Sequence, residues 1–240
     1  MSIYQSVLLA HEEIANRTMA FHFQRPTGFI FKAGQAIDLI LPNAPMVDAK
    51  HASHAFSLVS APFEQTLAIA TRMRDSTFKQ ALKMLTIGGQ VEIDGPFGSL
   101  TLHSDRLRPA IFIAGGIGIT PFMSMLRQAS HDGLPRSLLL HYSNRHPADA
   151  AFFRELQNLE QQNANFQFLP TMTEMDASGK AWQGETGHIN EAQVNKCAEG
   201  LNRPIFYVAG SPGMVAAVRE LLNRIHVDDD DIRSEEFYGY

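Results

Sequence analysis

The sequence predicts two domains, an antiparallel β-barrel over residues 1–104 and a doubly wound parallel sheet with helices over residues 105–240. In the N-terminal part, short apolar segments alternate with turn residues, a rhythm typical of antiparallel barrels and sandwiches. After about residue 104, strands alternate with helices, as the βαβ units of a parallel sheet require. A chain of 240 residues is long enough for two ordinary domains.

Six strands and one short helix are predicted in the first domain. Turn residues such as those at 26–28 separate the strands, because proline and glycine adopt the backbone angles of tight turns. The helix, over residues 77–85, carries Phe78, Leu82 and Leu85 on one face, the spacing of an amphipathic helix. The predicted strands cover residues 3–9, 18–23, 36–41, 55–60, 66–71 and 90–93.

Four strands and four helices alternate in the predicted second domain. A loop through Trp182 interrupts the alternation. The predicted strands cover residues 111–114, 137–142, 165–169 and 204–208, and the helices cover residues 121–129, 147–159, 191–198 and 212–225.

The composition narrows the class of protein. Hydrophobic residues make up 45% of the chain and charged residues 19%, which fits a globular protein with a packed core. The net charge of −5 and the lack of lysine or arginine runs argue against nucleic-acid binding. The N-terminus lacks the basic segment of a signal peptide, and the longest charge-free run, residues 109–126, is shorter than a membrane helix needs. We therefore expect a cytoplasmic protein that binds neither nucleic acid nor membrane.

The sequence offers little for a metal or a disulfide. The single cysteine, Cys197, excludes an internal disulfide, and a cysteine-ligated iron–sulfur cluster needs about four thiolates. His51 and His54 have no third ligand nearby in the sequence. The acidic residues 228–231 are interpreted as a solvated loop. We expect no metal site.

A glycine turn between a strand and a helix is the most informative motif. In the stretch IFIAGGIGITPFMSM, Gly115, Gly116 and Gly118 allow a tight turn, and Pro121 lies just inside the helix start, where a missing N–H costs nothing. The N–H groups at such a helix start form an anion site, which predicts bound nucleotide phosphates. Tight packing alone is the alternative reason for the glycines. Thr120 and the proline replace the last glycine of the G-x-G-x-x-G fingerprint.

Five motifs follow one another along essentially the whole chain. They are HAFS at 54–57, ATRM with DST at 70–77, DGPFG at 94–98, the glycine turn, and VAGSPGM at 208–214. Their order and content resemble the ferredoxin–NADP reductase superfamily. In that family an N-terminal barrel holds FAD and a C-terminal domain brings NAD(P)H against the flavin. The resemblance implies the same two domains and cofactors here.

By this resemblance, the first motif contacts the flavin ring. Phe56 corresponds to the aromatic residue that lies along the isoalloxazine, and Ser57 to the hydroxyl beside flavin N5, with Ala55 between His54 and the aromatic residue. His54 stands where the family has an arginine that grips a flavin phosphate. Because imidazole is a weaker and pH-sensitive phosphate ligand, the flavin is expected to be held loosely. The alternative for Phe56 is an inward-facing strand residue.

The second motif is expected at the flavin phosphates. The resemblance implies that Arg72, between Thr71 and Met73, shares the pyrophosphate with the helix start at Ser76 and Thr77. Arg72 would then compensate for the arginine missing at position 54. The alternative is that Ser76 only caps the helix.

The later motifs are expected to hold the nicotinamide nucleotide. The resemblance directs Thr120 toward the nicotinamide and the flavin, and assigns Gly210 and Met214 to the second strand–helix turn. There Ala209 replaces the family's usual cysteine near nicotinamide C4. Arg145, just after the strand at 137–142, favours NADPH over NADH, because an arginine at this point can bind the 2′-phosphate.

The C-terminus completes the resemblance. Family members often end with an acid and an aromatic residue that shields the flavin until the nicotinamide displaces it. Phe237 is the predicted aromatic residue, with Tyr240 second, and Glu236 is the candidate proton relay. A mobile polar tail is the alternative for the final three residues.

The resemblance implies an NAD(P)H-dependent flavoprotein reductase with Ser57, Thr120 and Glu236 as its catalytic residues. Its electron acceptor would be a separate carrier such as ferredoxin, flavodoxin or an oxygenase component. Two alternatives stay open. One is a flavin reductase that treats flavin as a dissociable substrate, which the histidine at position 54 favours. The other is a non-catalytic nucleotide-binding module, which the departures at positions 54 and 209 favour.

Overall fold

The computed structural model describes residues 3–42, 52–175 and 182–238. It contains two six-stranded sheets, an antiparallel one followed by a parallel one. The predicted fold class is therefore confirmed. Within the described residues, no helix is long and apolar enough to cross a membrane.

The first sheet closes into a barrel. Its strands pair antiparallel in the order β4-β3-β6-β1-β2-β5, and a bridge between Leu58 and Ile69 joins the two outer strands. Phe21, Leu39 and Ile93 are fully buried inside, because side chains that alternate along a strand reach the interior together. The elements are β1 (Ile3–Ala15), β2 (Thr18–Gln24), β3 (Ala36–Ile40), β4 (Ser53–Ser57), β5 (Thr66–Arg72), α1 (Thr77–Met84) and β6 (Gln90–Phe97).

The second sheet is parallel and carries helices on both faces. Its order is β10-β9-β8-β7-β11-β12. On β7, Phe112 joins the core under α2 and α3, whereas Ile111 and Ile113 join the core under α4 and α5. The elements are β7 (Ala110–Gly115), α2 (Ile119–His131), β8 (Leu138–Asn144), α3 (Phe153–Gln162), β9 (Phe166–Met172), β10 (Glu185–Thr186), α4 (Glu191–Ala198), β11 (Ile205–Gly210), α5 (Pro212–Arg224) and β12 (Ile232–Glu236).

Several predicted boundaries are wrong. β4 ends at Ser57, and only an isolated bridge at Leu58 extends the strand predicted to residue 60. A 3-10 turn leads directly into α2, so Pro121 is the third helical residue rather than the first, a position that also lacks an intrahelical partner for its N–H. The helix predicted from residue 147 begins as a 3-10 turn, and α3 starts only after Phe152, whose φ of 60° interrupts the helix.

The C-terminal segment is more ordered than predicted. The supposed solvated loop is a 3-10 turn at Asp229–Asp231, and Asp231 is buried with a carboxylate oxygen 2.5 Å from Arg108 Nη2. The chain then enters β12, a strand that was not predicted, which pairs with β11 from Phe206 opposite Ile232 onward. The chain after β12 is thereby directed to the C-terminal edge of the parallel sheet.

One face of α2 packs against the barrel. Ser124 Oγ donates to the Ser60 carbonyl at 2.6 Å. Arg127 donates to both Glu155 carboxylate oxygens at 2.6 and 2.8 Å and to Glu64 at 3.4 Å. The core on this face includes barrel residues as well as α2 residues, so the two sheets hold a fixed relation to each other.

Acid is expected to destabilise the fold through His141 on β8. This side chain is 2% exposed, its Nε2 lies 2.7 Å from Thr171 Oγ1, and burial lowers its pKa to about 4. Between its folded pKa and the ordinary 6.5, the unfolded chain binds the proton more readily, so stability is complete above pH 6.5 and falls toward pH 4. We expect this group to account for about 2 kcal/mol of lost unfolding free energy between neutral pH and about pH 4.5.

Urea unfolding of the wild-type chain and of His141→Gln at both pH values measures this contribution. Between the two pH values, the unfolding free energy of the variant should fall by about 2 kcal/mol less than that of the wild type. This holds whatever the stability of the variant at neutral pH. An identical pH dependence in the two proteins would show that His141 titrates normally.

Candidate active site

A cleft opens where the barrel meets the parallel domain. Its wall is built by β4, β5 and α1 from the barrel, by the glycine turn and α2 from the parallel domain, and by the chain just after β12. The lining residues are His54, Ala55, Phe56, Ser57, Ala70, Thr71, Arg72, Lys79, Ile117, Thr120, Phe237 and Tyr238. Eight of the predicted site residues thus come together in one cleft.

The HAFS motif forms one wall of this cleft. The register of β3 and β4 pairs Leu39 with His54 and Ala36 with Ser57. Phe56 lines the cleft and is also a barrel-core residue, with its ring 6.0 Å from that of Phe78 on α1. The flavin-contact and core interpretations of Phe56 are therefore compatible. Ser57 is 3% exposed, and its side chain reaches the same cleft.

The positive charge at one end of the cleft comes from Arg72 and Lys79, not from His54. Burial first, and then the nearby charge of Lys79, lower the pKa of His54, so its imidazole is neutral at neutral pH. Arg72 Nη2 lies 3.7 Å from Asp149 Oδ1. Lys79 Nζ donates to the Arg72 carbonyl at 2.9 Å. Neither Lys79 nor Asp149 was predicted from the sequence.

A second and wider cleft shares Arg72 with the first. Met73 and Arg145 lie in its wall, and Arg145 Nε is 3.4 Å from Glu174 Oε1. Ser76 is the N-cap of α1 and Thr77 its first residue, and both are outside the described lining of the two clefts. Ser76 occupies the N-cap position without a side-chain capping hydrogen bond, so a capping role does not account for it.

The glycine turn lies against the C-terminal end of β11. A Cβ on Gly118 would lie 2.3 Å from the Ala209 carbonyl oxygen, so packing alone requires glycine there. Gly116 has a φ of 50°, and its carbonyl accepts from Tyr142 Oη at 3.1 Å. Close packing at Gly118 and the positive φ at Gly116 explain these two glycines. Phosphate binding by the turn stays a prediction.

Met214 covers the neighbouring glycines. A Cβ on Gly115 would lie 2.1 Å from its sulfur, and one on Gly210 would lie 2.7 Å away. Pro121 lies in α2 behind the turn and is buried. Thr120 is 1% exposed and lines the main cleft, while its hydroxyl donates to the Ile117 carbonyl at 3.0 Å.

The C-terminal aromatic residue reaches the main cleft. The Phe237 N–H donates to the Gly210 carbonyl at 2.9 Å, which continues the pairing of β12 with β11. Glu236 is exposed and accepts from the Tyr238 hydroxyl. Its neighbour Glu235 points to the opposite face of the strand, where burial raises its pKa. The sequence analysis missed Tyr238 and Glu235. The side chains of Tyr240 and His51 lie outside the described residues.

Comparison with known proteins agrees with this architecture. Residues 112–220 match the family of oxidoreductase NAD-binding domains. The chain is 28% identical over 215 residues to the reductase component of propane 2-monooxygenase from Rhodococcus jostii, covering 88% of this chain and 57% of that protein. It is 28% identical over 229 residues to ferredoxin–NADP reductase B from Sorangium cellulosum, covering 91% of this chain and 90% of that protein.

A solved structure shares the fold. The ferredoxin–NADP⁺ reductase from Neisseria gonorrhoeae, crystallised with FAD and NADP, superposes with a TM-score of 0.79 at 22% identity, covering 98% of both chains. The sequence relatives include longer proteins, and the chain spans only 57% and 60% of two propane 2-monooxygenase reductase components. With its barrel, its match to the NAD-binding domain family and its five motifs in order, the chain is similar to ferredoxin–NADP reductases.

Proposed function

We propose that the chain is a flavoprotein reductase that takes a hydride from NAD(P)H onto FAD and passes electrons to a separate acceptor. Residues 1–104 would hold FAD and residues 105–240 NAD(P)H. The observation that carries the proposal is the shared cleft, in which Ser57 of the barrel, Thr120 of the parallel domain and Phe237 of the C-terminal segment line one space. The dependence on NAD(P)H favours a cytoplasmic location.

The lining residues fit FAD in chemical type. Phe56, Ile117 and Phe237 offer apolar surface for a flat ring. The hydroxyls of Ser57 and Thr71 can bond to its polar edge. Arg72 and Lys79 provide cations at one end for the phosphates.

The protein's own part is binding and orientation, whereas FAD supplies the redox chemistry when bound. Ser57 would hydrogen-bond to flavin N5, and Thr120 would set the plane of the nicotinamide. The turn at Gly115, Gly116 and Gly118, with the N-terminal end of α2, would hold the nucleotide phosphates. Gly210 and Met214 would line the same nucleotide site.

The remaining roles concern the C-terminus and the choice of nucleotide. Phe237 would cover the ring site until the nicotinamide arrives, and exclude water from it. Glu236, which is exposed beside the cleft, would exchange protons with solvent. Arg145 would favour NADPH by binding its 2′-phosphate, which requires it to leave its exposed pairing with Glu174.

The acceptor is proposed from the names of the relatives. One is the reductase component of a monooxygenase and another is a ferredoxin–NADP reductase. We therefore propose that electrons leave to an oxygenase component or to a carrier such as ferredoxin or flavodoxin.

Removing the Ser57 hydroxyl is expected to slow reduction of the bound flavin. Ser57→Ala should be reduced by NAD(P)H about tenfold more slowly than the wild type, because one hydrogen bond to the reacting ring is lost. Its flavin content should stay nearly unchanged. Anaerobic rapid mixing, followed by visible absorption, measures the rate.

Ser6→Ala is a matched control, since Ser6 is a buried barrel serine outside the cleft whose hydroxyl donates to the Gln24 carbonyl at 2.6 Å. This variant should be reduced as fast as the wild type. If Ser57→Ala were reduced as fast as the wild type, Ser57 would have no part in flavin reduction.

A further inference from the structure

Lys79 is a buried cation in the wall of the main cleft. It is 9% exposed and lies in the first turn of α1. Its ammonium group donates one hydrogen bond, at 2.9 Å, to the Arg72 carbonyl. An ammonium group has three N–H donors, so this bond leaves donors that can face a ligand in the cleft.

The charge of Lys79 has no compensating carboxylate within the described part of the chain. Burial and then the charge of Arg74 both lower its pKa, and no ion pair to it is formed by residues 3–42, 52–175 or 182–238. By contrast, the neighbouring Arg72 shares its charge with Asp149 at 3.7 Å. A buried charge without a partner is costly.

The helix adds to this positive field. The N-terminal end of α1 carries the positive end of the helix dipole, and its first turn contains no acidic residue. A lysine in the first turn is therefore unfavourable on local grounds. Together, Lys79, Arg72 and the N–H groups of this turn form a positive site that would suit an anion from outside the chain.

We propose that Lys79 is the main protein ligand of the flavin phosphate, the phosphate ester that FMN and FAD share. This inference rests on the proposed function. The phosphate belongs to the flavin because Lys79 lies on the barrel side of the cleft, beside His54 and the Phe56 ring, whereas the glycine turn lies on the opposite domain.

This assignment changes how the flavin is held. The histidine at position 54 alone would predict that the flavin is held loosely. The Lys79 ammonium group on α1 binds the phosphate in place of the absent arginine. The flavin therefore stays bound as a prosthetic group. Its affinity should not follow the titration of His54.

Binding of three flavins tests the proposal. The flavin-free full-length chain is titrated with FAD, FMN and riboflavin, and flavin fluorescence gives each dissociation constant. Lys79→Met should weaken FAD and FMN binding about tenfold or more, the effect of losing one charge-assisted hydrogen bond. Riboflavin, which has no phosphate, should bind the variant as it binds the wild type. Lys79→Arg should retain most of the affinity.

Lys83→Met is the matched control, because Lys83 lies one turn later on α1 and is exposed. Its affinities should equal those of the wild type. If Lys79→Met does not fold, Lys79→Gln is titrated instead, because it keeps a polar group and removes only the charge. It should show the same loss, about tenfold or more, for FAD and FMN and none for riboflavin.

Two results would overturn the proposal. Equal losses for riboflavin and FAD in Lys79→Met would show that Lys79 only supports the fold. Unchanged FAD affinity would show that another group holds the phosphate while the proposed function stands. A wild-type chain that binds none of the three flavins would instead contradict the proposed function itself.

Discussion

Arg127→Met is expected to lower the free energy of unfolding by about 3 kcal/mol, because it strips two carboxylates of their partner. The Arg127 guanidinium, on α2, donates to both oxygens of Glu155, to Glu64 and to the Val59 carbonyl at 3.2 Å. Its side chain is 18% exposed, against 37% for Glu155. Water can reach the carboxylates in part, which keeps the loss at the lower end for a buried pair.

Urea unfolding measures this loss, and Arg219→Met is its control. Arg219 also pairs with an acid, Asp229, at 3.2 Å, but there both side chains are well exposed. An exposed pair contributes at most about 1 kcal/mol. If both variants lost the same small amount, Arg127 would not be a fixed link between α2, α3 and the barrel.

Gly118→Ala is expected to cost about 3 kcal/mol of stability and to weaken NAD(P)H binding, because overpacking at this point meets backbone. The added Cβ would lie 2.3 Å from the Ala209 carbonyl oxygen and 2.7 Å from the Gly210 nitrogen. Neither atom can move without displacing the end of β11. The turn before α2 would shift with it, and that turn is the proposed phosphate site.

The matched control is Gly213→Ala in the first turn of α5. A Cβ at Gly213 meets nothing within 4 Å, and alanine is a better helix former than glycine. This variant should be as stable as the wild type or slightly more stable, with unchanged NAD(P)H affinity. If Gly118→Ala had the stability and NAD(P)H affinity of the wild type, the glycine turn would not be tightly packed against the end of β11.

Sequence periodicity predicts most of the fold because each element carries its own signal. The apolar run around Phe112 and the glycine turn after it predict a strand and a helix from adjacent residues alone. β12 is different, because Ile232–Glu236 is mostly polar. It is a strand only because its main chain pairs with β11. The break before α3 likewise depends on the left-handed backbone at Phe152, which no local pattern marks.

The lining of the main cleft was predicted where each residue belongs to a sequence motif, and missed where only the fold brings a residue there. Ser57, Thr120 and Phe237 lie far apart in sequence, but each belongs to a motif, and the fold brings them to one cleft. Lys79 belongs to no quoted motif, and its role depends on the lack of a carboxylate around it in three dimensions. A lysine in the first turn of a helix, with no acid in that turn, was the one local signal that pointed to it.

The visible absorption spectrum of the purified protein, followed anaerobically as NADH or NADPH is added, tests the central claim most directly. We expect a bound-flavin spectrum that bleaches, more readily with NADPH than with NADH. Colourless protein that oxidises NAD(P)H only after flavin is added would indicate a flavin reductase instead. Protein that neither binds flavin nor oxidises NAD(P)H would contradict the proposed reductase.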